Sequence, residues 1–214
     1  MMASSGPSSA EGKSVAVDAA VTRKPRILLA ACGSTAAVKF PILCHTFSDW
    51  AEVRAVVTTT ASRFIDKNTI PNNVVAFCDE HEWICWNKIG DNLLHIELST
   101  WADIMVIAPL SANTLAKIAG GLCDNLLTCI VRAWDYSKPM FVAPSMNKFM
   151  WRNPFTEKHF MCIEELGVSL IPPVTTRSAS GDHDTGAMAD PTTIYSTVRF
   201  FFERQILKKK PGMV

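Results

Sequence analysis

Short apolar runs alternate with helix-like segments along this chain, and this alternation constrains the fold more than any other feature. The runs RILLAA, EVRAVVTT, ADIMVIAPL, PMFVAP and VSLIPP have the length of buried strands, and VVAF is a weaker candidate. Helix-like segments follow most of them, and the last helix has a good start signal at Asp190–Pro191. Buried strands that alternate with helices form mainly parallel sheets. The sequence therefore predicts an α/β domain with helices on both faces of one sheet.

The length of 214 residues suits a single domain, which we place at residues 25–207. An apolar fraction of 48% and a charged fraction of 19% are consistent with a well-buried core. Residues 1–24 are rich in Ser, Ala and Gly and lack the apolar centre of a signal peptide, so we expect a disordered leader. Residues 208–214 are expected to form a disordered tail.

Charge and cysteine usage argue against several classes of partner. The formal net charge is +1 and both signs are spread along the chain, so we expect no nucleic-acid surface and no acidic-membrane partner. No apolar run reaches the roughly 18 residues of a membrane-spanning helix. The seven cysteines are scattered, odd in number and without a CxxC pair. This pattern is typical of reduced, buried thiols in a cytoplasmic protein.

Three of the predicted strands end in polar loops, CGSTAA, APLSANT and APSMN. Because ligands bind at the carboxyl ends of parallel strands, we expect these loops to converge along one edge of the sheet. Gly33, Ser34 and Thr35 in the first loop, and the run Ser111-Ala112-Asn113-Thr114 in the second, open helices whose N–H groups and hydroxyls could hold a phosphate-bearing cofactor. Ordinary helix caps would use the same residue types. Neither GxGxxG nor GxxxxGK[ST] is present, so a dinucleotide or a nucleoside triphosphate is not indicated.

Two polar residues elsewhere have both a structural and a functional interpretation. His95 lies between apolar residues in LLHIELSTWAD, where a histidine is either packed and hydrogen-bonded or catalytic. Asn147 follows a strand in PSMNKFMW, so its amide either caps the next helix or recognises a carboxylate or amide of a ligand. Met150 is either a core residue or a ligand contact.

The segment Arg177–Pro191, RSASGDHDTGAMADP, is a long polar stretch in an otherwise apolar chain. It contains no run apolar enough to pack as a strand, so it is predicted to be a long functional or disordered loop. Asp182, His183 and Asp184 have the composition of a metal site, but adjacent loop residues rarely converge on one ion. We therefore predict a solvated loop and no metal.

Taken together, APLSANTLAKIAGGLCDNLL, APSMNKFMW and SGDHDTGAMADP resemble hallmark segments of the flavin-dependent cysteine decarboxylases. The similarity extends from about Lys24 to Arg204 and is greatest to the phosphopantothenoylcysteine decarboxylase branch, which includes plant halotolerance-type flavoproteins. It implies a flavodoxin-like fold, and a homotrimer that binds FMN between subunits. The implied reaction is the FMN-dependent conversion of 4'-phosphopantothenoylcysteine to 4'-phosphopantetheine in coenzyme A synthesis.

The resemblance also implies roles for individual residues. His95 matches the family's catalytic histidine, Asn147 and Met150 match its substrate-binding residues, and the segment with Ser180 and Gly181 matches the flap over the substrate. The implied FMN contacts, with Thr58, Thr60 and Ser145 as lesser candidates, are Gly33, Ser34, Thr35, Thr58, Thr60, Ser111, Ala112, Asn113, Thr114 and Ser145. In the implied chemistry, FMN oxidises the thiol of the substrate to a thioaldehyde, which gives the electrons left by CO2 an acceptor. A histidine can manage the proton transfers.

The sequence departs from the family pattern at three places. Ser180 occupies the position of the flap cysteine that protonates the enethiolate, and a serine hydroxyl is a far weaker acid than a thiol. Ser99–Thr100 replace a pair of arginines, and Cys32 replaces a serine. The expected function is therefore decarboxylation with an impaired final step of protonation and reduction. Two alternatives are an oxidative cysteine decarboxylase that releases the enethiol, and an FMN-binding regulatory protein without turnover.

Overall fold

The computed structural model describes residues 23–84, 86–177 and 183–208. The strands are β1 Arg26–Ala31, β2 Glu52–Val57, β3 Val75–Phe77, β4 Ile104–Leu110, β5 Met140–Pro144, β6 Ser169–Leu170, β7 Val174–Arg177 and β8 His183–Ala187. The helices are α1 Phe40–Ser48, α2 Asp79–Ile84, α3 Leu94–Trp101, α4 Ala112–Ala119, α5 Leu126–Arg132, α6 Lys148–Trp151, α7 Pro154–Glu165 and α8 Pro191–Lys208. Short 3-10 turns span Thr35–Lys39, Ala61–Arg63 and Lys67–Thr69. Residues 1–22 of the predicted leader and residues 209–214 of the predicted tail, together with Ser180 and Gly181, lie outside the described residues.

Six strands form one parallel sheet in the order β3-β2-β1-β4-β5-β6. Strand β1 lies between β2 and β4, with Ile27 opposite Val53 on one side and Ile104 on the other. This is the strand order of a Rossmann-type sheet. Strands β1 to β3 are added in one direction across the sheet, and strands β4 to β6 are added in the opposite direction from β1. The predicted parallel α/β architecture is confirmed. Sheets of this type generally bind ligands at the carboxyl ends of the strands beside this reversal.

Side chains of successive residues in β1 enter two different layers of the core. Ile27 and Leu29 pack on the face covered by α1 and α8, whereas Leu28 and Ala30 pack on the face covered by α3, α4, α5 and α7. All four side chains are completely buried. Full burial stabilises a leucine or isoleucine by about 1.5–3 kcal/mol, which explains why every residue of this strand after Arg26 is apolar instead of every second one.

The segment predicted to lack strands contains one. Strand β8 pairs with β7 in an antiparallel hairpin that is separate from the main sheet. The prediction was wrong because it required an apolar run, whereas a hairpin on the rim is held by main-chain hydrogen bonds and tolerates polar side chains. Within the described residues, no helix combines the length and the apolar content needed to cross a membrane.

The six described cysteines are free thiols with different degrees of exposure. Cys32 and Cys44 are buried as predicted, whereas Cys123 and Cys162 are exposed, contrary to the prediction. Cys123 lies in the turn between α4 and α5. Cys162 lies on the outer face of α7, beside residues that do face the core. Apolar neighbours in sequence therefore did not imply burial on a helix, where consecutive side chains point in different directions.

Candidate functional site

The loops after β1 and β5 meet at the carboxyl edge of the sheet, as predicted. The hydroxyl of Ser34 donates to the hydroxyl of Ser145 at 2.9 Å, across 111 residues of sequence. Ser34 also caps the turn Thr35–Lys39, with Thr35 exposed at its start. A Cβ atom added to Gly33 would lie 2.5 Å from Cγ2 of Thr60, so only glycine allows the loops after β1 and β2 to approach this closely.

The loop after β4 begins helix α4 next to these residues. Ser111 is the N-cap, and its Oγ accepts a hydrogen bond from the backbone N–H of Thr114 at 3.2 Å. Ala112 is half-buried and Asn113 is exposed at the first turn of the helix. Cys32, from the end of β1, lies under this loop, and burial raises the pKa of its thiol to about 11 despite a hydrogen bond with Thr114. The neutral Cys32 thiol thus joins the two loops across the switch point of the sheet.

The loop after β2 contributes the third side of this site. The side chain of Thr58 is buried, and its Oγ1 accepts from the backbone N–H of Ala61 at 3.3 Å. Thr59, which the sequence analysis did not select, donates from Oγ1 to Oδ2 of Asp79 at 2.8 Å. The other carboxylate oxygen of Asp79 accepts from the backbone N–H of Leu126, at 3.0 Å. Asp79 therefore fixes the start of α2 to the β2 loop and to α5.

His95 lies in the first turn of α3 and is held by one carboxylate. Its Nδ1 is 2.7 Å from Oε1 of Glu82, and its backbone N–H donates to Oε2 of the same side chain at 3.1 Å. The side chains of His95 and Glu82 are 22% and 13% exposed. The imidazole is thus hydrogen-bonded, as the structural interpretation required, and its side chain remains partly exposed.

Asn147 does cap the next helix, which confirms one of its two interpretations. Its Oδ1 accepts from the backbone N–H groups of Phe149 and Met150, at 3.0 and 2.9 Å. Because those donors require an oxygen, the Nδ2 group of Asn147 is directed away from them and carries only donors. Met150 is 51% exposed and is not a core residue. The amide of Asn147 can therefore both cap α6 and bind a carboxylate.

Of the predicted flap, the structure describes the two strands at its base. Gly186 is skipped in the pairing, since Thr175 lies opposite Thr185 and Val174 opposite Ala187. The carbonyl oxygen of Gly186 instead accepts from the backbone N–H of Met146 at 2.9 Å. This bulge joins the hairpin to the loop that contains Ser145 and Asn147.

Large apolar side chains are exposed around His95. Trp83, Ile84 and Ile89 are 78%, 69% and 95% exposed, and Ile96 on the same helix as His95 is 45% exposed. A monomeric soluble protein rarely exposes such a concentration of apolar surface. Ser99, at one of the positions that depart from the family pattern, is buried on α3 and donates to the carbonyl of Ile96, whereas Thr100 is exposed.

Comparison with known proteins agrees with this fold and this arrangement of loops. The model of the family described as Flavoprotein matches residues 18–203. The chain belongs to the flavoprotein family. It is 70% identical over 202 residues to phosphopantothenoylcysteine decarboxylase HAL3b of Glycine max, covering 94% of each chain. The resemblance of the sequence motifs to the phosphopantothenoylcysteine decarboxylase branch of the flavin-dependent cysteine decarboxylases is confirmed.

Two solved structures of this flavoprotein family are similar over most of the chain. One is a cysteine-to-serine mutant of a PPC decarboxylase complexed with pantothenoylaminoethenethiol, with a TM-score of 0.82, 66% identity, and coverage of 85% of this chain and 100% of the other. The other is the FMN binding protein AtHal3, with a TM-score of 0.82, 65% identity, and coverage of 85% and 98%.

Proposed function

We propose that this flavoprotein binds FMN and decarboxylates the cysteine moiety of 4'-phosphopantothenoylcysteine. The observation that carries the proposal is the contact between the hydroxyls of Ser34 and Ser145, which brings two of the predicted cofactor loops together at the switch point of a Rossmann-type sheet. Relatives named as phosphopantothenoylcysteine decarboxylases at 64–70% identity support the choice of reaction.

The residues at this edge fit FMN. The hydroxyls of Ser34, Thr58 and Ser145 belong to three loops at this edge, and helix α4 begins at the same edge with backbone N–H groups that favour a phosphate. Gly33 allows the loop after β1 to approach the side chain of Thr60 within contact distance. In this site FMN would supply the two-electron oxidation of the substrate thiol that makes loss of CO2 possible.

Three residues outside the cofactor loops would bind the substrate or accept its proton. His95 would accept the thiol proton at Nε2, because Nδ1 is occupied by Glu82. Asn147 would donate from Nδ2 to the substrate carboxylate, because its Oδ1 is occupied by the cap of α6. Met150, exposed on the same turn, would pack against the apolar part of the substrate.

Ser180 would leave the last step incomplete. The family resemblance assigns the proton donor of that step to a cysteine at position 180, and a hydroxyl is a far weaker acid than a thiol. The solved cysteine-to-serine mutant of a PPC decarboxylase is complexed with a molecule whose name describes an enethiol, pantothenoylaminoethenethiol. We therefore expect this chain to release mainly the enethiol product and less of the saturated thiol. Each enethiol released would leave reduced FMN, which O2 would have to reoxidise before the next turnover.

The active unit would be a homotrimer with FMN at the subunit interface. The exposed apolar side chains near His95, above all Trp83 and Ile89, would be covered by a second copy of the chain. Such an arrangement places His95 and its partner Glu82 at the boundary between two subunits.

Product analysis tests the proposed function directly. The purified protein, loaded with FMN, is incubated with 4'-phosphopantothenoylcysteine, and CO2 and the thiol products are quantified by mass spectrometry. Wild type should release CO2 and yield more enethiol than saturated thiol, whereas Ser180→Cys should raise the share of saturated product by at least about tenfold, since it restores a thiol with a pKa near 8.5. His95→Asn should bind FMN and release no CO2.

Three results would contradict specific parts of the proposal. Mainly saturated product from wild type would mean that another acid replaces the cysteine. An unchanged product ratio in Ser180→Cys would refute the role assigned to position 180. FMN binding without any release of CO2 by wild type would favour the regulatory alternative.

A further inference from the structure

Glu82 contacts both the ring and the backbone N–H of His95. One carboxylate oxygen lies 2.7 Å from Nδ1 of the ring, and the other accepts the backbone N–H of His95 at 3.1 Å. The two residues are 13 positions apart and lie on different helices, so the contact is not a consequence of local helix geometry.

The chemistry of a carboxylate fixes which ring nitrogen carries the proton. An ionised carboxylate can only accept hydrogen bonds, so Nδ1 must be the N–H donor in its contact with Oε1 of Glu82. In the neutral ring, Nε2 then holds the lone pair. This is the tautomer in which His95 can take a proton from a ligand that approaches its outer edge.

Helix α2 is anchored firmly enough to hold Glu82 in place. Its first residue, Asp79, accepts hydrogen bonds from the side chain of Thr59 and from the backbone of Leu126. The helix contacts both α3 and α5. Burial is the main cause that raises the pKa of the Cys129 thiol on α5, and the nearby charges of Cys123 and then Glu82 add to it. The carboxylate of Glu82 thus lies near α5 and is hydrogen-bonded to His95.

We propose that Glu82 is a positioning residue that sets the tautomer and the direction of the His95 ring, and so leaves Nε2 as the proton acceptor. This proposal rests on the proposed function for its effect on turnover, but not for its effect on the histidine itself. Glu82 does not need to touch the substrate.

The substitution Glu82→Gln tests the inference because it keeps the shape and removes one acceptor. An amide has one oxygen and one NH2 group, whereas both groups of His95 that face it are donors. The backbone N–H cannot change, so the amide oxygen accepts from it and the NH2 group donates to Nδ1. The ring must then place its proton on Nε2, where it can no longer act as a base.

The matched control is Glu97→Gln, which removes a negative charge from the helix that contains His95. Glu97 forms an ion pair with Arg54 at 2.8 Å and is about half exposed. Glu82→Asp is the second comparison, since it keeps both acceptor oxygens on a shorter side chain.

Two measurements on the FMN-loaded protein are needed. In 15N NMR of histidine-labelled protein, with His95→Asn used to assign the signal, wild type and Glu97→Gln should show the proton of His95 on Nδ1, and Glu82→Gln should show it on Nε2. In CO2 release, Glu82→Gln should lower kcat by about 10²-fold, the usual contribution of a general base, with KM and FMN absorbance unchanged. Glu82→Asp should recover at least about a tenth of the wild-type kcat, and Glu97→Gln all of it.

Opposite outcomes separate the inference from the proposed function. A wild-type His95 with its proton on Nε2, or a Glu82→Gln variant with unchanged tautomer and kcat, would overturn the role of Glu82. If wild type releases no CO2, the proposed function fails alone, and the NMR comparison still decides whether Glu82 sets the tautomer. If Glu82→Gln does not fold, the 15N spectra and the kcat of Glu82→Asp test the role of Glu82 instead. Loss of the Nδ1 proton in Glu82→Asp, or loss of nearly all of its turnover, would contradict a carboxylate that accepts from both the ring and the backbone N–H of His95.

Discussion

Replacing Gly186 by alanine should detach the flap hairpin from the rest of the site without unfolding the domain. Gly186 has a φ of +129°, and a Cβ atom there would lie 2.4 Å from the carbonyl oxygen of Met146. The clash is with backbone and not with a flexible side chain, so the two segments must separate by at least about 0.6 Å to reach 3.0 Å. The hydrogen bond from Met146 N–H to Gly186 C=O, now 2.9 Å, would be strained or lost.

The cost of this substitution can be worked out from its two parts. A non-glycine residue at such a φ costs about 1–3 kcal/mol. Loss of the hydrogen bond costs about 1 kcal/mol more. A total of about 2–4 kcal/mol exceeds what a short hairpin outside the main sheet can absorb. We therefore expect it to undock, with a fall in kcat/KM for CO2 release of about 30-fold or more, because each 1.4 kcal/mol corresponds to a factor of ten.

The control is Gly167→Ala. Gly167 also has a positive φ, +87°, but nothing lies within 4 Å of the added Cβ, so this variant has the backbone strain without the clash. It lies in the turn between α7 and β6 and should lower the free energy of unfolding by about 1 kcal/mol with kcat/KM unchanged. Trypsin should cleave after Arg177 faster in Gly186→Ala than in Gly167→Ala. Equal cleavage and equal kcat/KM in the two variants would refute this account of the bulge.

Two further predictions concern assembly and thiol chemistry. Sedimentation of the FMN-loaded protein should give a mass three times that of the 23.5 kDa chain, and a stable monomer that binds FMN and turns over would contradict the interface proposed around Trp83 and Ile89. Because burial raises the pKa of Cys32 to about 11, its thiol stays protonated at pH 8 and should resist iodoacetamide for as long as the protein is folded, whereas the exposed Cys162 should be labelled. Peptide mass spectrometry measures both reactions, and rapid labelling of Cys32 would show that the switch point of the sheet opens.

The sheet and the cofactor loops could be predicted from the sequence because they depend on strong local signals. The part of a strand that is buried on both faces must be apolar throughout, as ILLAA in β1 and IMVIAPL in β4 are. The polar residues that follow such strands are confined to one edge of a parallel sheet by geometry alone. The contact between Ser34 and Ser145 could therefore be anticipated as a convergence of loops, although not as a hydrogen bond between those two hydroxyls.

Helix α2 could not be predicted in the same way. Its six residues, DEHEWI, include no buried residue and present no apolar face to guide a prediction. The position of the helix is set by hydrogen bonds to two of its carboxylates, Asp79 at one end and Glu82 near the other. Both partners of Asp79 and the partner of Glu82 are distant in sequence. The family resemblance implied a catalytic role for His95, but nothing in the sequence pointed to Glu82 as its hydrogen-bond partner.

A small number of polar contacts between loops at the edge of the sheet determine the positions of the proposed site residues. Asp79 holds α2 through Thr59, and Gly186 holds the hairpin through Met146. Each such hydrogen bond contributes on the order of 1 kcal/mol, whereas the apolar strands beneath them are stabilised by many completely buried side chains. Breaking one contact should therefore move a reactive group by an ångström or more while the free energy of unfolding changes little. An ångström of misplacement can reduce catalysis by about 10²-fold. It follows that variants of these contacts must be judged by turnover and by the state of His95, because a small change in melting temperature does not report where a reactive group lies.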